Sequence, residues 1–231
     1  NSYTITVTVV SSSATTGGGG SVTAVYQLNT SPDDQTTQYG FGSSTWGSEG
    51  WDTRRAASSV ELNPRTWVLD NWGEDLIINP NGGSLYLWDA TNPSTRAVVI
   101  ANAPTKVNYS IVTKDRHLIA FGANSPASAG SALDTMMVRW CHQEDNTAWT
   151  PTVTNTAGGQ LLNSGTEILV AADIDQQVLI WTDDSVYSMQ YIGPPYTFSL
   201  NIVGTNAGVV SPRAWIAYSG VIYWMGENAF Y

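Results

Sequence analysis

Short apolar runs that each end in a tryptophan recur along the chain from residue 85 onward. The tryptophans are separated by 52, 41 and 43 residues, and each run follows a segment that is typical of a partner strand. A period in the forties built of strands and turns is typical of β-propeller blades. We therefore expect an all-β fold of β-propeller-like blades with four antiparallel strands each. The tryptophans expected in the blade cores are Trp88, Trp140, Trp181 and Trp224.

The third predicted blade has the clearest pattern. Val178 and Ile180 would face one side of its second strand. Leu179 and Trp181 would face the other side, so both faces of this strand are apolar. Sheets that stack face to face bury both of their faces. The four strands predicted for this blade, between turns that carry Asp, Gly and Pro, are Glu167–Ala172, Gln177–Trp181, Ser185–Ile192 and Thr197–Val203.

The whole chain divides by pattern into three parts. These are a protruding β-hairpin that serves as a docking arm (1–32), a connecting loop region rich in glycine and tryptophan (33–73), and the blades (74–231). Three blades are complete and a fourth is partial, over 74–115, 116–166, 167–214 and from Trp215 onward. Propellers close with about four to eight blades, so we expect this chain to be a segment of a longer polypeptide.

The first 32 residues carry no charge. Two alternating segments, Tyr3–Val10 and Val22–Leu28, flank a tip with four consecutive glycines. An isolated hairpin is only marginally stable in water, and an uncharged edge invites another strand. We expect this hairpin to lie against another subunit or another part of a larger chain, although docking onto its own domain is an alternative. The expected interface residues are Tyr3, Ile5, Val7, Val9, Val22, Tyr26 and Leu28.

Composition and charge narrow the class of partner. The 231 residues are 42% hydrophobic and 12% charged, with 10 tryptophans and a net charge of -10. Residues 140–231 contain eight acids and a single base, Arg213, so this half should repel nucleic acid rather than grip it, although acids at turns that only keep the protein soluble are an alternative. An uncharged, aromatic-rich surface suits a protein covered by partners, but free-standing extracellular β proteins have similar composition. No apolar stretch approaches the roughly 20 residues of a membrane span.

The sequence offers little catalytic or metal-binding chemistry. Cys141 and His142 are adjacent on a predicted strand, so their side chains should point to opposite faces and cannot form a nucleophile–base pair. A single cysteine excludes an intrachain disulfide, and two histidines with one cysteine give no zinc-site spacing. The turn pairs Asp173/Asp175 and Asp183/Asp184 lack the ligand order of a calcium loop. We expect no cofactor and no metal.

Two alternative functions remain open at this point. Exposed aromatic residues could stack on sugars in a glycan-binding propeller used for receptor attachment, although core or interface aromatics are commoner. The candidates outside the clearest predicted strands are Trp46, Trp51, Trp72 and Trp149. A glycoside hydrolase would need two carboxylates across a cleft, and the sequence singles out no pair. The carboxylates available for such a pair are Glu74, Asp75, Asp134 and Asp175.

Two stretches of the chain are similar to a known protein family. One is Thr66–Leu76, which includes Trp72-Gly73-Glu74-Asp75-Leu76, together with residues 82–89. The other is Trp181–Tyr191, continued by residues 204–208 and by Gly220–Gly226, which includes Tyr223-Trp224-Met225-Gly226. Together they resemble the tail nozzle proteins (tail tubular or DNA-stabilisation proteins) of short-tailed bacteriophages. The similarity covers roughly residues 40–231.

The resemblance implies a structural component of the virion tail, assembled in the host cytoplasm, and not an enzyme. Such a protein forms a homohexameric ring below the portal and adaptor ring, contacts tail fibres or spikes, retains the packaged double-stranded DNA and permits its ejection. Blades arranged in a ring would present turn acids toward the channel, so that the duplex slides without sequence-specific binding. The acids expected to line that channel are Asp173, Asp175, Asp183 and Asp184.

Overall fold

The computed structural model divides the chain into two compact units, Asn1–Asn63 and Pro64–Tyr231. The residues that it describes all belong to the second unit and cover 66–125, 132–174, 177–227 and 229–231. The predicted docking hairpin (1–32) therefore lies outside the described residues. The boundary between the units falls inside the segment predicted to connect the hairpin to the blades (33–73).

The described residues form an all-β fold without a helix. The strands of the first sheet are β1 (Trp67–Trp72), β2 (Asp75–Pro80), β3 (Tyr86–Trp88) and β4 (Val98–Val99). Those of the second are β5 (Val107–Val112), β6 (Leu118–Ala123), β7 (Met137–Trp140) and β8 (Gly158–Leu161). Those of the third are β9 (Ile168–Ile174), β10 (Gln177–Thr182), β11 (Val186–Gly193) and β12 (Thr197–Gly204). A two-stranded fourth sheet contains β13 (Trp215–Tyr218) and β14 (Val221–Trp224).

Each sheet is an antiparallel meander in which every strand pairs with the one before it in the chain. The prediction of four-stranded antiparallel sheets is confirmed, and the four strands of the third sheet lie close to their predicted positions. The fourth sheet begins at Trp215, as the pattern indicated. Its second strand also pairs with the last residues of the chain, because the backbone groups of Trp224 and Tyr231 exchange two hydrogen bonds.

The start of the first sheet differs from the prediction. Strand β1 lies inside the segment that we expected to be a connecting loop, and it pairs with β2 across a two-residue turn. Gly73 opens that turn with φ of 70°, a conformation that suits glycine. The alternation of β1 was hidden because Trp67 and Leu69 occupy its exposed side, while Asp70 occupies the side that faces the second sheet.

The second sheet also begins earlier than predicted. We expected the segment that forms β5 to end the first blade, but β5 pairs with β6 and opens the second sheet. The two-residue strand β4 supplies the fourth strand of the first sheet instead. The tryptophan period therefore does not mark one structural position. Trp88 and Trp140 end third strands of their sheets, whereas Trp181 and Trp224 lie on second strands.

The buried apolar residues form three clusters, one between each pair of successive sheets. The first joins Trp72 and Ile77 of the first sheet to Leu118 and Ala120 of the second. The other side of β6, with Ile119 and Phe121, belongs to the second cluster. The second sheet thus lies between the first and the third, and both of its faces are buried.

The third sheet repeats this arrangement. Val178 and Ile180 pack in the cluster shared with the second sheet. Leu179 and Trp181 pack in the cluster shared with the fourth sheet, which contributes the partly buried Trp215, Ile222 and Trp224. The prediction that both faces of this strand are buried by neighbouring sheets is therefore confirmed.

The sheets stack in chain order, and no closure into a ring is seen among the described residues. Within the same residues, no helix is long and apolar enough to cross a membrane.

Candidate functional site

The first strands of the three complete sheets lie side by side. Strand β5 contacts both β1 and β9, so these three strands form a row that runs across the stack. The three strands are the first of their meanders, and each leaves its sheet by a hairpin to the second strand. Side chains on this row meet neighbours from other sheets, and we call it the first-strand row.

A carboxylate joins the first two strands of this row. Asp70 on β1 is half-buried, and its Oδ2 accepts a hydrogen bond from the backbone N–H of Val112 on β5 at 2.7 Å. The alternation of β1 places Asp70 on the face toward the second sheet. There its carboxylate reaches the N–H of Val112, which strand pairing within the second sheet leaves available. Hydrogen bonds to a charged acceptor are among the stronger ones in proteins.

A second carboxylate joins β9 to the turn that follows β5. The Oδ2 of Asp173 accepts a hydrogen bond from the backbone N–H of Lys114 at 3.3 Å. Burial raises the pKa of Asp173, the Lys114 N–H and ammonium group oppose that rise, and the charges of Asp115 and Asp70 add to it. Acids from three sheets therefore act on one another at this end of the first-strand row.

A tyrosine and an arginine complete this constellation. Tyr109 on β5 is half-buried, and burial is the main cause that raises the pKa of its hydroxyl. The negative charge of Asp70 raises it further, and the positive charge of Arg213 opposes the rise. Arg213, the single base among residues 140–231, therefore lies within electrostatic range of Tyr109 on the first-strand row.

Next to Asp173 the surface forms a small recess of about 30 Å³, which suffices for about one water molecule. The residues that line it come from the turn after β5 and from the third sheet, and they include polar and apolar side chains. Among the residues that line it are Lys114, Asp115, Asp173, Gln177, Tyr191 and Phe198. Its size excludes an organic substrate as an occupant of the recess in this conformation.

The other predicted channel acids lie at the opposite end of the third sheet. Asp183 and Asp184 occupy the turn between β10 and β11, whereas Asp173 lies beside the turn between β9 and β10. Burial opposes the ionisation of Asp183, but hydrogen bonds from the hydroxyl and N–H of Thr166 and the N–H of Glu167 outweigh it and lower its pKa. Asp183 thus fixes the segment that enters the third sheet. Asp175 lies outside the described residues.

A larger polar recess, of about 160 Å³, adjoins this turn. Its lining residues are Asp183, Asp184, Asn206, Gly208, Glu227 and Tyr231. One carboxylate oxygen of Asp184 is already bonded to the hydroxyls of Ser185 and Ser164. Across the described ranges, no group of three or more histidine, cysteine or acidic side chains has the arrangement of a metal site.

The four predicted core tryptophans differ in burial. Trp181 is 0% exposed and Trp140 is 6% exposed, whereas Trp88 and Trp224 are half-buried. Trp181 stacks on Trp215 with ring centroids 5.9 Å apart and meets Trp224 edge-on at 5.8 Å. The expected interface residues of the hairpin (3–28) and the glycan candidates Trp46 and Trp51 lie outside the described residues. The other two glycan candidates are wrong, because Trp72 and Trp149 are buried in the cluster between the first two sheets.

Cys141 and His142 do not form a side-chain pair. The thiol is buried in the cluster between the first two sheets, where it accepts from the N–H of Leu118 and donates to the backbone oxygen of His142. Burial raises the pKa of this thiol to about 12. The His142 ring instead meets Thr156, with Nδ1 3.0 Å from the hydroxyl oxygen.

Thr156 joins both histidines of the chain, a feature that the sequence pattern did not indicate. Its hydroxyl oxygen lies 3.2 Å from Nε2 of His117, and its backbone N–H donates to Nδ1 of His142 at 3.1 Å. That second bond makes His142 Nδ1 an acceptor. His117 is fully buried against Tyr191 and Phe198 of the third sheet, and its Nδ1 has no hydrogen-bond partner among the described residues. Only tertiary packing brings these distant segments together.

The carboxylates that a glycoside hydrolase would need have local structural partners instead. Asp75 accepts a hydrogen bond from the backbone N–H of Ala90, and Asp134 accepts one from the backbone N–H of Met136. Glu74 is exposed in the turn between β1 and β2. These contacts do not bring a pair of acids to a common cleft.

No protein-family model matches the sequence, and no curated protein is similar enough to count as a match.

Proposed function

We propose that this protein is a structural component of a short phage tail, a nozzle or tail-tube subunit that works by shape and electrostatics rather than by bond-making. It forms a ring around a DNA channel, helps to retain the packaged genome and permits its ejection. The proposal combines the resemblance of the Trp72–Leu76 and Tyr223–Gly226 phrases with the geometry of the blade region.

The observation that carries the proposal is the first-strand row. In a β-propeller the sheets are arranged radially, and one strand of each blade lies nearest the axis. Stacked four-stranded meanders whose first strands lie side by side fit that arrangement, with β1, β5 and β9 along one edge of the blades, and we propose that this edge faces the DNA channel of the assembled ring. The carboxylates of Asp70 and Asp173 belong to this row.

The mechanism follows from charge. Duplex DNA carries about one negative charge per 1.7 Å of its axis, so a wall of fixed carboxylates repels it. At physiological salt the Debye length is about 8 Å, so only acids close to the duplex act on it. Backbone N–H groups donate hydrogen bonds to the carboxylates of Asp70 and Asp173 and hold them in place. Neither carboxylate can turn toward a cation that accompanies the DNA without losing its hydrogen bond. The duplex then slides instead of binding.

The proposed partners of this protein are those that the resemblance to tail nozzle proteins implies. A homohexameric ring would sit against the tail adaptor or portal-proximal ring and would present sites for tail fibres or spikes. Within it, the uncharged 1–32 hairpin would dock onto a neighbouring subunit or tail protein. The net charge of -10 fits a protein that surrounds DNA without gripping it.

Two measurements test this function together. Negative-stain electron microscopy of the purified protein, alone and with an adaptor ring, should show rings with a central opening. A mobility-shift titration with duplex DNA should show no binding at physiological salt. The double variant Asp70→Asn with Asp173→Asn keeps oxygen acceptors but removes two charges, and it should bind duplex DNA more tightly at low salt.

Asp89→Asn is the control for removing a charge outside the first-strand row, and it is compared with each single variant, Asp70→Asn and Asp173→Asn, because Asp89 lies in the loop after β3. It removes one charge without changing the row, so it should leave DNA binding as in the wild type. Wild-type binding of duplex DNA at physiological salt, or an absence of rings under all assembly conditions, would contradict the proposed function.

A further inference from the structure

The turn that follows β2 contains an asparagine directly before a glycine, the one such pair in the sequence. The turn spans residues 80–83 and is closed by a hydrogen bond of 2.8 Å from the Gly83 N–H to the Pro80 oxygen. Gly82 has φ of 69°, which the third position of a type II turn requires and which favours glycine. The fold therefore places a glycine directly after Asn81.

An asparagine in this position loses its side-chain amide without an enzyme. The backbone nitrogen of the following residue gives up its proton and attacks the asparagine Cγ, the Cγ–Nδ2 bond breaks, and ammonia leaves with that proton. The product is a cyclic succinimide. Water then opens the ring, which gives aspartate when the Cγ–N bond breaks and isoaspartate when the bond from the backbone carbonyl carbon to that nitrogen breaks. Glycine hinders the attack least, because it has no Cβ.

Strand β5 holds both groups that take part in this reaction. The N–H of Gly82 donates a hydrogen bond to the Val107 oxygen at 2.8 Å. The Nδ2 of Asn81 donates to the Asn108 oxygen at 3.3 Å. Two consecutive carbonyl groups of β5 thus engage the proton that the nitrogen must give up and the amide that must leave. While both bonds last, the attack on Cγ is blocked.

Further hydrogen bonds join the same turn to β5. The Val107 N–H donates to the Gly83 oxygen at 2.9 Å, and the Nδ2 of Asn79 donates to the Val107 oxygen at 3.2 Å. Asn79 is fully buried, so water does not compete for its bond. The turn separates from β5 only when several hydrogen bonds between the first two sheets break together.

We propose that Asn81 is a deamidation site controlled by the contact between this turn and β5. The closed contact protects Asn81, and opening of the contact exposes it to the reaction. Aspartate places a negative charge opposite the Asn108 oxygen, and isoaspartate also lengthens the backbone before Gly82 by one methylene group. Both products lose the donor that Asn81 gave to β5, so an opening of the contact leaves a permanent change in the chain.

This inference rests on the contact between the first two sheets and not on the phage-tail proposal. A protein that binds duplex DNA but deamidates at Asn81 only when this contact opens would keep the inference and refute the proposed function. A ring-forming protein whose Asn81 reacts equally in the folded and unfolded states would do the reverse.

The test follows Asn81 in the full 231-residue chain by peptide mapping, with chromatography and mass spectrometry to separate asparagine, aspartate and isoaspartate. Samples are kept at mildly alkaline pH in buffer and, in parallel, in urea above the unfolding midpoint. We expect deamidation in buffer to be at least about tenfold slower than in urea, because the reaction waits for the hydrogen bonds to open. In urea, Gly82→Ala should react several-fold more slowly than the wild type, which checks the succinimide route. Equal rates of the wild type in buffer and in urea would overturn the inference.

A pair of variants separates opening of this contact from unfolding of the whole unit. Asn79→Ala removes a buried donor to Val107 and should speed up deamidation of Asn81 in buffer several-fold. Trp181→Phe is the matched control, because it weakens the packing between the third and fourth sheets and leaves this turn unchanged. Equal acceleration by the two variants would assign the reaction to global unfolding and overturn the control by β5.

Hydrogen exchange of the wild type gives a decision that does not depend on a folded variant. The Gly82 N–H should exchange slowly in buffer, and low concentrations of urea should accelerate its exchange and the deamidation of Asn81 by the same factor. Exchange at Gly82 as fast as in the unfolded chain would show that the contact does not protect this site, and would overturn the inference.

Discussion

Asp70 accepts a hydrogen bond from the backbone N–H of Val112 at 2.7 Å and so joins the first strand of one sheet to the first strand of the next. The bond lies in the stretch of the first-strand row where β1 and β5 are neighbours. It gives the contact between these two sheets a directional element that apolar packing lacks.

Replacing Asp70 by alanine should destabilise the second unit, because the Val112 N–H would lose its partner in a half-buried site. We expect a loss of about 1–3 kcal/mol in the free energy of unfolding, measured by urea titration. The control Asp70→Asn keeps an oxygen acceptor and should recover more than half of the loss. Equal losses in the two variants would show that the charge rather than the hydrogen bond stabilises this contact.

His117 should make stability depend on pH. Burial lowers the pKa of His117 to about 4; the charges of Asp115 and Glu144 oppose this, and His142 adds to it. In the unfolded chain the pKa of a histidine is about 6.5. The unfolded state therefore binds more protons below pH 6.5, and the contribution of neutral His117 is lost as the pH falls toward 4.

We expect that loss to be about 3 kcal/mol between pH 7.5 and 4. Urea titrations at a series of pH values measure it, and His117→Gln should flatten the dependence because glutamine does not titrate. His142→Gln serves as a control that leaves His117 in place. A pH dependence that is unchanged in His117→Gln would show that other groups cause it.

The burial of both faces of β10 could be predicted because consecutive residues of this strand are all apolar. Val178, Leu179, Ile180 and Trp181 form an uninterrupted apolar run, and such a run on a strand requires cover on two sides. The start of the first sheet could not be predicted in the same way. Each side of β1 carries two apolar residues and one polar residue, with Trp67 and Leu69 on the exposed side and Trp72 on the buried side, so the pattern carries no information about which face is buried.

The candidate site was less accessible to sequence reasoning than the fold. Asp173 was expected to act at a turn, but its neighbour Lys114 comes from another sheet, and no local signal links the two. Thr156 was not singled out, because a threonine in a loop becomes significant only when packing brings His117 and His142 to its hydroxyl. The tryptophan period did not give the strand order correctly for a related reason. The spacing treats all four tryptophans as equivalent, but two lie on third strands and two on second strands of their sheets.

Cys141 should be unreactive in the folded protein. Its thiol is fully buried with a pKa raised to about 12, and thiolate is the form that reacts with disulfide reagents. At pH 8 we expect almost no reaction with an aromatic disulfide reagent in buffer and one equivalent per chain in denaturant. Rapid reaction of the native protein would contradict the burial of this residue. Cys141→Ser contains no thiol, so it provides the background signal of the assay.

Trp181 should contribute more to stability than any exposed tryptophan, since its ring is fully buried between Trp215 and Trp224. Trp181→Ala should cost about 3–5 kcal/mol in the free energy of unfolding, as for other large-to-small core changes. Trp181→Phe should cost less than half as much, because the indole N–H has no hydrogen-bond partner in the part of the chain that the structure describes. At a concentration where the protein is monomeric, Trp67→Ala is the matched control and should change stability by no more than about 0.5 kcal/mol. A Trp181→Ala loss no larger than that of the control would mean that the third and fourth sheets are not packed through this ring.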